Sequence, residues 1–113
     1  MIFGRKKLFS NDKIGVLFVC MGNICRSPAA EGVFKQYINE QGKQDRFFID
    51  SAGTIGSHSG QVADPRMVKA AECRGYQLDS LARKVVRKDI EEFDLVLAMD
   101  FDNLMNLFSL AKT

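Results

Sequence analysis

The chain has 113 residues, which suits one domain with a modest hydrophobic core. Hydrophobic residues make up 46% and charged residues 27%, the balance of an ordinary globular domain rather than a disordered or fibrous one. A formal net charge of +2 gives no bulk electrostatic case for nucleic acid or a membrane surface, and no apolar run approaches the length of a membrane span.

Residues 1–12, MIFGRKKLFSND, read as a basic N-terminal extension carrying Arg5, Lys6 and Lys7. The extension lacks the apolar stretch and small-residue cleavage site of a secretory signal, so the expectation is a loose or weakly docked tail ahead of a domain at 13–113. Three cysteines, Cys20, Cys25 and Cys73, and a single histidine, His58, make neither a disulfide framework nor a structural zinc site. No metal or cofactor is expected, and a reducing cytoplasm is the expected location.

KIGVLFVC, 13–20, is a continuous apolar run rich in β-formers, the pattern of a parallel strand covered on both faces. SPAAEGVFKQYINEQG, 27–42, predicts a helix with Ser27 as N-cap, Pro28 at the first helical position, Glu31 in the first turn and Gly42 as its stop. Its apolar stripe would be Ala30, Val33, Phe34, Tyr37 and Ile38. RFFIDSAG, 46–53, predicts a second strand, and a glycine-rich loop runs from there to Pro65. A second helix is expected over 65–76, with Gly75 as its stop. Within 89–100 a short acidic helical turn precedes a third strand at 94–98, and a third helix occupies 102–111. Strands alternating with helices predict an α/β fold of three layers, a parallel sheet with helices on both faces. Ligands of such sheets sit beyond the carboxyl ends of the strands, where Cys20, Ser51 and Asp100 fall.

The decapeptide VCMGNICRSP, 19–28, lies at one of those ends. A strand, a tight loop and a helix N-terminus make an anion cradle of converging N–H groups. Gly22 lets the backbone turn inward, and Asn23 tolerates left-handed backbone and can tie the loop to itself. Arg26 offers a planar fork for two phosphate oxygens. Cys20 sits at the base, where amides, the guanidinium and the Ser27 hydroxyl all favour the thiolate, the reactive form of cysteine. A thiolate under a bound phosphate is aligned for in-line attack on phosphorus. A cysteine ending a buried strand is by itself an inert core residue. Its placing between strand and helix, with Gly, Asn and Ser-Pro around it, selects the chemical reading.

The stretch VLFVCMGNICRSPAAEGVF closely resembles the signature of the low-molecular-weight protein tyrosine phosphatases, and the likeness continues through IDSAGT, ADPRM, LAR and FDLVLAMDFDNL. The resemblance implies hydrolysis of phosphotyrosine in proteins with release of inorganic phosphate. It implies Cys20 as the nucleophile that becomes a cysteinyl-phosphate, and Arg26 as the group that binds the phosphate and stabilises the transition state. Met21, Gly22, Asn23, Ile24 and Cys25 would supply loop amides, and Ser27 would assist the thiolate. Cys25 resembles the family's second loop cysteine, which pairs reversibly with the nucleophile under oxidation; a loop-packing role is the equal alternative.

Family members also carry an Asp-Pro-aromatic loop whose aspartate is the general acid. No residue of this chain corresponds to it: Asp64-Pro65 matches the family's separate DPR segment, where the aspartate is a helix cap. The chain therefore reads as C-terminally truncated, short of the family's last strand and last helix, and self-association through uncovered apolar surface is expected. Ser80 stands where many relatives have a histidine that bonds the loop Asn, and Ser57 where many have an aromatic. Asp50 and Asp100 read as structural partners, Arg66 and Arg83 as helix-face or ion-pair residues, and His58 as a loop residue. Two alternatives stay open: a weakly catalytic or non-catalytic phosphate-binding module, and an arsenate reductase, which would need further cysteines beyond Cys73.

Overall fold

The computed structural model describes Ile2–Gly4 and residues 13–112. In chain order the elements are β1 (Ile2–Gly4), β2 (Ile14–Cys20), α1 (Arg26–Glu40), a 3-10 turn (Gln44–Arg46), β3 (Phe47–Gly53), α2 (Pro65–Cys73), α3 (Arg87–Glu92), β4 (Leu95–Ala98) and α4 (Phe101–Ala111). The sheet order is β1-β4-β2-β3. Pairing of β2 with β3 and with β4 is parallel, so the expected parallel sheet is present. The addition is β1. Ile2–Gly4 lies antiparallel along β4, with Phe3 opposite Val96, so part of the expected loose tail is an edge strand. Arg5, Lys6 and Lys7 lie outside the described residues.

The continuous apolar run of β2 is explained by cover on both sides: residues 15–20 are all buried. On one face Phe18 meets Phe34 of α1 edge-on, with centroids 5.8 Å apart, and Phe34 meets Phe47 at 5.8 Å. On the other, Leu17 and Val19 join Val96, Ala98, Ile90, Phe93 and Leu107 in one core cluster. Period-two alternation along β2 thus assigns α1 to one face and α3 and α4 to the other. Beyond its packed side, α4 exposes Phe101, Met105 and Phe108, the apolar surface on which the expectation of self-association rests. No helix among the described residues is long and apolar enough to cross a membrane.

Two details of α1 differ from the sequence reading. The helix begins at Arg26 with Cys25 as its N-cap, so Ser27 is not the cap and Pro28 is the third helical residue rather than the first. The buried face is Ser27, Pro28, Glu31, Gly32 and Ile38, whereas Val33 and Tyr37 are exposed. The apolar stripe misleads because this helix turns polar residues inward, toward the end of β2. Glu31 is accordingly not a first-turn dipole partner but a buried carboxylate. Gly42 and Gly75 do end their helices, at φ +69° and +86°.

Candidate active site

β2 is a central strand. The chain leaves it through α1 to β3 on one side and later reaches β4 on the other. The crevice beyond the carboxyl end of β2 is therefore the topological switch point. Residues 21–25 form the loop there, and Cys20 at its base is a free, buried cysteine.

Among the described residues, the backbone N–H groups of Met21 to Cys25 have no acceptor within the protein. Outward carbonyls hold the loop instead. Ile55 N–H donates to the Met21 carbonyl at 3.0 Å, Thr54 N–H to that of Cys20 at 2.9 Å, and Asp64 N–H to that of Ile24 at 2.7 Å. With carbonyls tied outward and N–H groups left over next to the first turn of a 15-residue helix, the loop has the polarity of an anion site. Gly53 permits this closeness. A Cβ there would stand 2.7 Å from the Met21 carbonyl oxygen and 3.1 Å from the Asn23 nitrogen.

Asn23 organises the interior. It has left-handed backbone, φ 57°, and is buried. The Arg83 backbone N–H, which can only donate, stands 2.9 Å from Asn23 Oδ1 and so fixes which way the amide faces. Nδ2 then donates to Ser27 Oγ at 2.8 Å and to Ser51 Oγ at 3.0 Å. Each serine, having accepted from Asn23, turns its own proton elsewhere. Ser51 donates to Glu31 Oε1 at 2.5 Å. Ser27 Oγ stands 3.0 Å from Cys20 Sγ and 3.5 Å from the Ala52 carbonyl oxygen, the two groups that can take its proton. A hydroxyl that donates to sulfur stabilises negative charge on it.

Arg26, the first residue of α1, is exposed, and its Nη1 donates to Asp100 Oδ2 at 2.8 Å. Asp100 also caps α4 by accepting from Asn103 N–H at 2.8 Å. That backbone bond, and then the Arg26 hydrogen bond, hold the Asp100 carboxyl below the usual carboxylate range. The same pairing raises the Arg26 guanidinium. Asp64 caps α2 and is likewise held low, first by the Arg66 side chain. Both carboxylates are thereby kept as anions, which suits structural partners rather than proton donors.

The other expected residues fall as follows. His58 stands against Gly22, whose added Cβ would meet the ring at 3.0 Å, and bonds Gln61 at 3.0 Å. Ser80 is not a partner of Asn23; it lies beside Glu31 instead. Arg83 pairs with Asp89 at 2.9 Å and with Asp50 at 3.2 Å, which sets the backbone N–H that holds Asn23. Sequence reasoning missed Glu31. The signal was available: Ser27, Glu31, Phe34 and Ile38 recur at helical spacing, so Glu31 shares a face with the loop serine.

Residues 15–113 match the sequence pattern of the family described as low molecular weight phosphotyrosine protein phosphatase. The chain is 46% identical over 95 residues to the low molecular weight phosphotyrosine protein phosphatase of Schizosaccharomyces pombe, covering 83% of this chain and 61% of that one. Among solved structures it is similar to a protein tyrosine phosphatase from Entamoeba histolytica, at 49% identity and a TM-score of 0.84, covering 86% of this chain and 62% of that one. It is also similar to YfkJ from Bacillus subtilis, at 38% identity and a TM-score of 0.87, covering 92% and 66%. The chain spans about 60% of the length of the curated relatives it matches. With its loop, its α/β sheet and these likenesses together, the chain belongs to the low molecular weight phosphotyrosine protein phosphatase family.

Proposed function

We propose that this chain carries the nucleophile and the phosphate site of a protein tyrosine phosphatase. The observation that carries the reading is the buried Cys20 sulfur 3.0 Å from a Ser27 hydroxyl that accepts from Asn23 and so keeps its own proton to give. In the first step the Cys20 thiolate attacks phosphorus of a phosphotyrosyl protein. The S–P bond forms, the P–O bond to the phenol breaks, and the electron pair leaves with the phenol oxygen. In the second step water attacks the cysteinyl-phosphate, inorganic phosphate departs, and the thiolate returns. The N–H groups of Met21, Gly22, Asn23, Ile24 and Cys25 and the Arg26 guanidinium would hold the phosphoryl oxygens throughout, with no cofactor needed for either step. A reducing cytoplasm would keep Cys20 and Cys25 as the free thiols they are here.

A second reading, a phosphate-binding module with slow turnover, is favoured by Asp64 and Asp100. Asp64, whose N–H bonds the Ile24 carbonyl, and Asp100, which pairs with Arg26, are both held as anions and so unsuited to protonate a departing phenol. General acid–base catalysis is worth about 10²–10⁴-fold, most of it felt with a poor leaving group such as tyrosine, of pKa about 10. The two readings separate by measuring vanadate-sensitive hydrolysis of nitrophenyl phosphate and of a phosphotyrosyl peptide by the 113-residue chain. Turnover of both, abolished by Cys20→Ser, supports the enzyme. Turnover of the activated ester alone, with a rate falling steeply as leaving-group pKa rises, supports slow catalysis without proton donation. Phosphate binding with no turnover of either refutes the enzyme.

A further inference from the structure

A surface helix normally carries one apolar side, and α4 carries two. On the first, Leu107 is buried and Leu104, Leu110 and Ala111 pack against the same core cluster. On the other side Phe101, Met105 and Phe108 recur at i, i+4 and i+7, the spacing that lines residues up along one narrow stripe of a helix. They are 60%, 47% and 40% exposed. A single exposed hydrophobe needs no explanation, but three large ones in line on an 11-residue helix do.

The charges at the ends of the stripe choose its occupant. Lys112, exposed at the C-cap, continues the same line one turn beyond Phe108, and Asp102 flanks the line in the first turn. Two copies of α4 set antiparallel about a two-fold axis bring Met105 of each against Phe108 of the other. The same register lays Lys112 of each over the Phe101 ring of the other, with Asp102 alongside. The cation of the line thus meets an aromatic face and a carboxylate. A parallel pair would set Lys112 against Lys112 and align the helix dipoles, so charge selects the antiparallel one. The three side chains offer on the order of 300 Å² per copy, against about 800 Å² per partner in a standard interface, so the pair is weak and reversible.

We propose that the solvent face of α4 is a self-association surface, on which two copies of this chain pair antiparallel through Phe101, Met105 and Phe108. Because Phe101 directly follows Asp100, the carboxylate that holds Arg26, this pairing sets the end of the second copy's α4 beside each loop mouth. Sedimentation equilibrium of the 113-residue chain, from about 10 μM to about 1 mM, tests it. The average mass should rise from monomer to dimer and level off, with half association on the order of 100 μM. Met105→Glu and Phe101→Glu each put a carboxylate on the stripe without touching the core, and each should abolish association while melting curves show the fold retained. Lys112→Gln should weaken the dimer by about 5- to 30-fold, since symmetry removes two exposed cation–π contacts, and Lys112→Arg should keep it. Val62→Glu, at an apolar residue 66% exposed but away from α4, should leave association unchanged. A monomer at every concentration overturns the proposal and gives the stripe to a different occupant. A mass that climbs past the dimer, parent strength in Lys112→Gln, or a Val62→Glu variant as disruptive as Met105→Glu overturns it equally.

Discussion

Arg26 Nη1 and Asp100 Oδ2, 2.8 Å apart, join the first residue of α1 to the cap of α4 across the mouth of the loop. Both side chains are substantially exposed, at 48% and 41%, so the pair adds little stability through its charge. Its effect is geometric: one nitrogen of the fork is anchored, which on the proposed reading leaves the rest for an oxyanion. Because Asp100 is held below its ordinary value, its contribution is complete above the usual carboxylate range and is lost as pH falls through the lowered value. Asp100→Asn should leave thermal stability nearly unchanged at neutral pH, since Asn caps as well as Asp, whereas Asp100→Ala should lower the melting temperature. The gap between the parent and Asp100→Ala should narrow in acid. Melting curves across pH check this, and a gap that widens in acid would contradict the assigned direction.

Ser27→Ala removes the hydroxyl that is hydrogen-bonded to Cys20 Sγ and, on the proposed reading, donates to its thiolate. Loss of one hydrogen bond to a charged group predicts cysteinyl-phosphate formation slower by about 10–100-fold. The same change strips a buried acceptor from Asn23 and should cost about 1–3 kcal/mol of stability. Rapid-quench measurement of the phosphoenzyme, with urea unfolding alongside, reads both. A stability loss with no change in the chemical step would remove Ser27 from the mechanism.

Gly53→Ala places a methyl 2.7 Å from the Met21 carbonyl oxygen, a backbone atom that cannot step aside alone. The loop must shift, at about 1–3 kcal/mol for an overpacked site. Phosphate affinity, measured by calorimetry, should fall together with stability. Parent-like affinity would mean that the β3 end does not set the loop's shape.

Leu107 is fully buried against Leu17, Val19 and Val96 on the sheet face away from α1. Leu107→Ala should cost about 2–5 kcal/mol, the range for emptying a core leucine site. Protection of Cys20 by phosphate against alkylation by iodoacetate should persist at temperatures where the variant stays folded. Loss of protection in the folded variant would show that α4 packing reaches the loop.

The parallel sheet and the site's location were legible because each depends on short-range pattern: an unbroken apolar run for β2, and a Gly-Asn turn between strand and helix for the loop. The start of α1 was misread because Ser-Pro mimics a helix entry, whereas Ser27 is drawn inside by Cys20 and Asn23, contacts no local rule weighs. The same holds for Glu31, a charged residue on an inward face, and for Arg83, whose backbone rather than its charge holds the loop. Edge strand β1 escaped notice because three residues opposite β4 carry too little periodicity to announce pairing. What sequence spacing hides is which distant partner satisfies a buried polar atom.

An amide nitrogen has no lone pair to offer, so the Asn23 side chain works as a rectifier between two serines. The mirror arrangement, with both hydroxyls turned toward that nitrogen, has no acceptor to sustain it. Each hydroxyl thus keeps its proton for another acceptor: the Glu31 carboxylate for Ser51, and the Cys20 sulfur or the Ala52 carbonyl for Ser27. On the proposed reading, dipoles that water would have to reorient are set when the polypeptide folds.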